Sequence, residues 1–179
     1  MSANSDKRDT PWNLAITGPA GQRHDISVFI SNGPGSFTIT SIYKAGDLCI
    51  PEGIIVIDWT SYFELPSRYD QGYVDIGAGK RSIEIAELRG IGLGSFFMSV
   101  IIDWLKNLPE LPVEPIILSI DDARTEEAKE RRNRFWRKLG FELLLDDKET
   151  HGTSKPMRSN QLIQPEAKLT KGWRIDELD

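Results

Sequence analysis

Read from its residues, this chain is α/β, with a mixed central sheet and a strand-rich first half. Three observations predict that. Residues 12–76 hold short β-branched and aromatic runs punctuated by Gly and Pro, the pattern of strands and turns. Residues 93–105 carry apolar side chains at helical spacing, which predicts an amphipathic helix. Beyond them an apolar run at 115–120, a charged helical stretch and another strand-like run at 141–145 continue the alternation of strand and helix.

Taken in order, residues 1–11 are polar up to Pro11 and read as a disordered lead-in. Strand-like composition covers Trp12–Thr17, Asp25–Ser31 and Ser36–Tyr43, separated by Gly18-Pro-Ala-Gly21 and Asn32-Gly-Pro-Gly35. A β-branched strand is expected over Gly53–Trp59, a loop over Leu65–Gly72, and a strand over Tyr73–Ile76. A tight turn at Gly77-Ala-Gly79 then leads into a strand ending Ser82-Ile-Glu-Ile-Ala-Glu87. No persuasive helix precedes residue 93; Thr60–Tyr69 could supply only short helical turns.

The second half is helical. Leu93, Phe96, Phe97, Val100, Ile101, Trp104 and Leu105 form one wide apolar face, ended by Pro109 and Pro112. Pro115–Ile120 has the composition of a buried central strand. Thr125–Leu139 follows as a helix, with Glu126 and Glu127 in its first turn, Arg137 and Lys138 in its last, and Gly140 at C′. Strands are expected over Phe141–Leu145 and within Met157–Ile163. The strand before the glycine turn and the one at 115–120, joined by a crossover helix, are expected to be parallel. Residues 12–163 read as one domain and 164–179 as a tail, which Trp173 and Ile175 equip to dock.

Composition narrows the class. At 179 residues the chain can bury one full core. No apolar run is long enough to span a bilayer, since Val100-Ile-Ile102 is cut by Asp103. The polar N-terminus lacks a secretory h-region, and Cys49 is the single cysteine, so a reducing cytoplasm is expected. The net charge of −5 disfavours a general nucleic-acid binder and suits a cationic small substrate.

The most informative residues are Arg89-Gly-Ile-Gly-Leu-Gly94. A glycine-rich turn opening a helix points several unpaired N–H groups one way, at the positive end of the macrodipole, and so suits a phosphate or pyrophosphate. Other nucleotide motifs fail. A Rossmann G-x-G-x-x-G meets Ser95 or Phe97 at its last position, and a Walker A ending at Lys80 meets Val74 and Arg81. His24 and His151 have no metal-spaced partners, so no metal site is expected. No nucleophilic triad or dyad can be assembled.

RGIGLG, followed by Phe135-Trp-Arg-Lys-Leu-Gly-Phe141, resembles the GNAT superfamily of acyl-CoA-dependent N-acetyltransferases over about residues 81–163. Arg89-x-x-Gly92-x-Gly94 meets that family's Arg/Gln-x-x-Gly-x-Gly/Ala signature, and FWRKLGF is similar to its aromatic-rich helix-ending turn. The resemblance implies a GNAT-like sheet with splayed strands. It implies acetyl-CoA as co-substrate, with the pyrophosphate on the backbone of Arg89, Gly90, Ile91, Gly92, Leu93, Gly94 and Ser95. Glu84, Ile85, Ala86 and Glu87 would hold pantetheine and the thioester carbonyl. The implied activity is direct acetyl transfer to a primary amine on a small molecule or protein; a homodimer is left open.

Two departures bear on catalysis. Trp136 stands where the family commonly has a tyrosine that reprotonates the leaving thiolate, and an indole N–H has no useful acidity. Water or another residue supplies the proton, or Trp136 shapes a cofactor or acceptor pocket, or the domain is degenerate and serves as a CoA-binding or protein-interaction module. Glu84 is the favoured general base on the strand beside the thioester, with Glu87, on the opposite parity, as a turn residue. Asp75, Glu64 and His151 are substitutes. The basic helix 124–138 reads first as a solvated, charge-patterned face and second as a contact for the CoA 3′-phosphate or adenine. Trp59 is a candidate for the acceptor pocket.

Overall fold

A computed structural model describes residues 11–77 and 81–178 of the chain. Residues 1–10 of the expected lead-in, Ala78 and Gly79 of the expected tight turn, and Lys80 lie outside the described residues. Among the described residues the fold is mixed α/β, with a large mixed sheet, a smaller three-stranded one and two α-helices. The strands are β1 (Trp12–Thr17), β2 (Arg23–Gly33), β3 (Ser36–Gly46), β4 (Ile55–Glu64), β5 (Tyr73–Asp75), β6 (Pro112–Val113), β7 (Ile117–Leu118), β8 (Leu143–Leu145), β9 (Gly152–Ser154), β10 (Met157–Arg158) and β11 (Arg174–Glu177); the helices are α1 (Leu93–Leu105) and α2 (Glu126–Lys138). The chain forms two compact units.

The first unit comprises residues up to Thr60, Gly79–Phe97 and Ala167–Asp179. Its strands run β4-β3-β2-β1-β11. The β2–β3 hairpin closes on the pair Gly33↔Ser36, leaving Pro34 and Gly35 as the turn. Proline supplies φ near −65° at the first central position, and Gly35 takes the φ of +80° that the second requires. A bulge between Asp25 and Ile26 displaces the register. Leu14, Ile16, Ile26, Ile39, Tyr43, Ile57 and Trp59 are buried, and at the start of α1 Trp12 meets Phe96 (centroids 5.5 Å) and Trp59 meets Phe97 edge-on (6.3 Å). The tail docks: β11 pairs antiparallel with β1 from Leu14↔Glu177 to Thr17↔Arg174.

The second unit comprises Ser61–Ala78 and Met98–Glu166. Here the ladder runs β10-β6-β5 and onto the end of β4, and the small sheet runs β7-β9-β8. A crossover through α1 does join two parallel strands, but they are β5 and β6 (Val74↔Val113), not the expected pair. Residues 115–120 are not a buried central strand. β7 lies at an edge of the small sheet, antiparallel to β9, with Leu118 buried and Ile117 87% exposed. The apolar run hid an alternation that only its sheet position makes visible. Within 157–163 the strand stops at Arg158, and Ser159–Gln161 form a 3-10 turn.

α2 matches its sequence signals closely. The Thr125 hydroxyl accepts the Ala128 N–H (3.1 Å) as N-cap, and Gly140 follows Leu139 with φ +97°. Between β8 and β9, Asp146 accepts backbone N–H groups from His151 (2.9 Å), Thr150 (2.6 Å) and Lys148 (3.2 Å). These bonds, His151's foremost, hold its pKa at about 2, below the ordinary 3.8. A depressed carboxylate stabilises the fold above its unfolded pKa, and that contribution is lost as pH falls from there through about 2. Asp146→Ala is expected to speed amide exchange at Thr150 and His151; unchanged protection there would show that these bonds do not hold the turn.

Candidate functional site

The expected strand Ser82–Glu87 is absent. Residues 82–85 run irregularly beside β4, and Ala86–Leu88 form a 3-10 turn. One ladder-like bond remains, from the Glu84 N–H to the Val56 carbonyl (2.9 Å). Three carbonyls are claimed by side chains. The Trp59 indole donates to the Ser82 carbonyl (3.2 Å). The Arg89 side chain curls back, Nε donating to Ile83 O (2.6 Å) and Nη2 to Glu84 O (3.1 Å). The Leu88 and Arg89 N–H groups then take the carbonyls of Ile85 (3.2 Å) and Ala86 (3.0 Å). Every carbonyl from Ser82 to Ala86 therefore already accepts a hydrogen bond, and strand pairing by those groups is pre-empted.

The glycine turn follows. Gly90 and Gly92 have φ of +74° and +96°, a region costly to any residue with a Cβ. Carbonyls are again occupied: Ile91 O accepts from Thr170 N–H (2.7 Å) and Gly92 O from Phe96 N–H (3.0 Å). The backbone N–H groups of Gly92, Leu93, Gly94 and Ser95 meet no acceptor among the described residues. They open a 13-residue helix. With these two carbonyls taken and four N–H groups left over, this stretch of backbone is electropositive. The segment Leu169–Thr170 packs closely on the turn: a Cβ at Gly92 would lie 3.1 Å from Thr170 N and 3.2 Å from Leu169 Cα.

No family model, curated protein or solved structure matches this chain. The functional reading therefore rests on the chemistry of these residues and on the two motifs.

The candidate bases sit as follows. Glu84 is exposed, and its carboxylate accepts from the Ser82 hydroxyl. Glu87 is exposed on the 3-10 turn. Asp75 is committed to the Gly77 N–H (2.9 Å), Glu64 ends β4, and His151 lies in the Asp146 turn against the Thr150 hydroxyl (3.2 Å). Trp136 belongs to the second unit's core at 6% exposure, edge-on to Phe135 (5.1 Å) and Phe141 (5.4 Å). Among the described residues, no group of three or more His, Cys, Asp or Glu side chains is arranged to hold a metal. No described helix is long and apolar enough to cross a membrane.

The bases of α2 are largely spoken for. Lys129 pairs with Glu126 (2.9 Å), Arg131 with Glu127 (3.4 Å), Arg134 with Glu130 (3.7 Å) and Arg137 with Glu149 (2.7 Å). Arg132 ties the helix to the carbonyls of Ser119 (2.5 Å), Thr150 (3.1 Å) and Glu149 (3.2 Å). Lys138 makes no ion pair among the described residues. An open cleft runs along this face, lined by Asn133, Arg134, Arg137, Lys138 and two glutamates. Two of its three bases are paired with its two glutamates and Lys138 alone is left over, which suits a solvated face better than a polyanion site.

Sequence reasoning missed two residues that shape the turn. The sequence signal at Arg89 concerns its backbone, whereas its side chain fixes 83–84. Thr170 lies in the tail, where Trp173 and Ile175 beside it carry the docking signal.

Proposed function

We propose that this chain binds acetyl-CoA, or a closely related acyl-CoA, through the backbone of Arg89–Ser95, and transfers the acyl group to a primary amine. One observation carries the reading: the donor-only backbone of Gly92–Ser95 at the start of α1, whose neighbouring carbonyls are already occupied. Such a cradle fits a diphosphate. The amine nitrogen attacks the thioester carbonyl and gives a proton to the Glu84 carboxylate; the C–S bond then breaks, CoA leaves as a thiolate that water protonates, and no acyl-enzyme forms. Pantetheine amides find the carbonyls of 82–86 engaged, so seating that arm along 84–87 requires Arg89 to release Ile83 and Glu84.

A second reading is favoured by Trp136. Its indole packs among aromatic side chains in the core, and nothing acidic replaces the usual tyrosine there. On this reading the domain holds CoA without acyl transfer. Calorimetry with acetyl-CoA, CoA and inorganic pyrophosphate separates the cases when combined with a thiol-release assay over an amine panel. Binding with turnover supports transfer, and binding without turnover supports the second reading. No binding at millimolar acetyl-CoA removes both.

A further inference from the structure

The docked C-terminal segment rests on a buried histidine. The Trp173 indole stacks on the His24 imidazole with centroids 5.9 Å apart and planes at 21°. On another side the indole presses against Gly18, where a Cβ would come within 2.9 Å of its Cη2. Trp173 N–H donates to Thr170 O (3.1 Å), Thr170 N–H to Ile91 O (2.7 Å) and Leu178 N–H to Asn13 O (2.9 Å). One short segment therefore ties together β1, His24 and the glycine turn, all within the first unit.

His24 is 3% exposed, and its Nδ1 lies 3.4 Å from the Tyr43 hydroxyl on β3. The charges facing it are Asp47 beyond β3, Asp25 on β2 and Glu87 on the 3-10 turn. Arg23 pairs with Asp25 (2.9 Å) and donates its N–H to Asp47 (2.7 Å), which blunts both carboxylates. The segment itself brings Lys171 and Arg174 to either side of Trp173. Burial outweighs the three carboxylates and holds the imidazole below its ordinary pKa of 6.5.

We propose that residues 167–178 form an acid-released latch, in which Trp173 seats on neutral His24 and protonation of that imidazole frees the segment from both β1 and the glycine turn. The direction follows from linkage. A histidine depressed in the seated state and ordinary in the released one leaves the latch at full strength above about pH 6.5, and weakens it as pH falls below that value. This inference does not depend on what the turn binds.

Amide exchange of the full chain, corrected for intrinsic rates, tests it at Thr170, Trp173 and Leu178. Their opening constants are expected to rise up to about 30-fold between about pH 7.5 and 5.0. His24→Gln is expected to remove that rise, and His151→Gln to leave it. Flat opening in the wild type, the same slope in His24→Gln, or its loss in His151→Gln overturns the latch. Should His24→Gln not fold, the wild-type ring still decides by NMR titration: a His24 pKa at or above 6.5 overturns the proposal, and one below it supports it.

Discussion

Gly92→Val is expected to abolish acetyl-CoA binding and to lower stability by about 2–4 kcal/mol. Two effects add. A φ of +96° is strained for any L side chain and most of all for a β-branched one. The new Cβ also meets backbone, Thr170 N at 3.1 Å and Leu169 Cα at 3.2 Å, which cannot yield as a flexible side chain would. Gly90→Ala separates strain from contact: its φ is +74° but nothing lies within 4 Å of the added Cβ. It should cost about 1–2 kcal/mol, from strain alone. Denaturant midpoints of both variants, with calorimetry under conditions where each is folded, make the comparison. A Gly92→Val protein that matches wild type in midpoint and affinity would show that this turn neither packs against 169–170 nor binds the ligand.

Trp136→Ala is expected to cost about 3–5 kcal/mol, the usual range for emptying a buried aromatic site. Trp136 is 6% exposed and edge-on to both Phe135 and Phe141, so the lost contacts lie within one aromatic cluster. Trp136→Tyr tests its chemistry. In the core a phenol brings a hydroxyl with no assured partner, at a cost of about 1–3 kcal/mol, and leaves acyl transfer unimproved. A tenfold or greater gain in thiol release would place the side chain beside the leaving thiolate and overturn the core assignment.

Much of the fold was legible because its signals are local. α1 and α2 follow from apolar spacing and end chemistry: Thr125 caps, the acidic first turn and basic last turn complement the dipole, and Gly140 takes the left-handed position after Leu139. Pro34-Gly35 marks the β2–β3 hairpin for the same reason. The unpaired N–H groups after RGIG were equally readable, since a helix start leaves its first N–H groups over whatever residues it carries.

The misread segment, 82–87, shows where local reasoning stops. Alternating Ile83 and Ile85 fit a strand, but a strand forms only if its carbonyls reach a neighbouring ladder. Here the Trp59 indole and the Arg89 guanidinium reached Ser82, Ile83 and Glu84 first. Ile117 was likewise placed in the core on composition, whereas an edge position turned it outward at 87% exposure.

The sequence by itself determined the helices, their caps, the hairpin turns and the glycine turn, because each depends on residues within a few positions of one another. Tertiary structure alone decided which donors took the carbonyls beside that turn, which strand pair became parallel, and that Leu169–Thr170 and Trp173 would settle on Gly92 and His24. Those outcomes are competitions among groups far apart along the chain for the same hydrogen-bond partners and the same buried space. No periodicity or motif records which competitor wins.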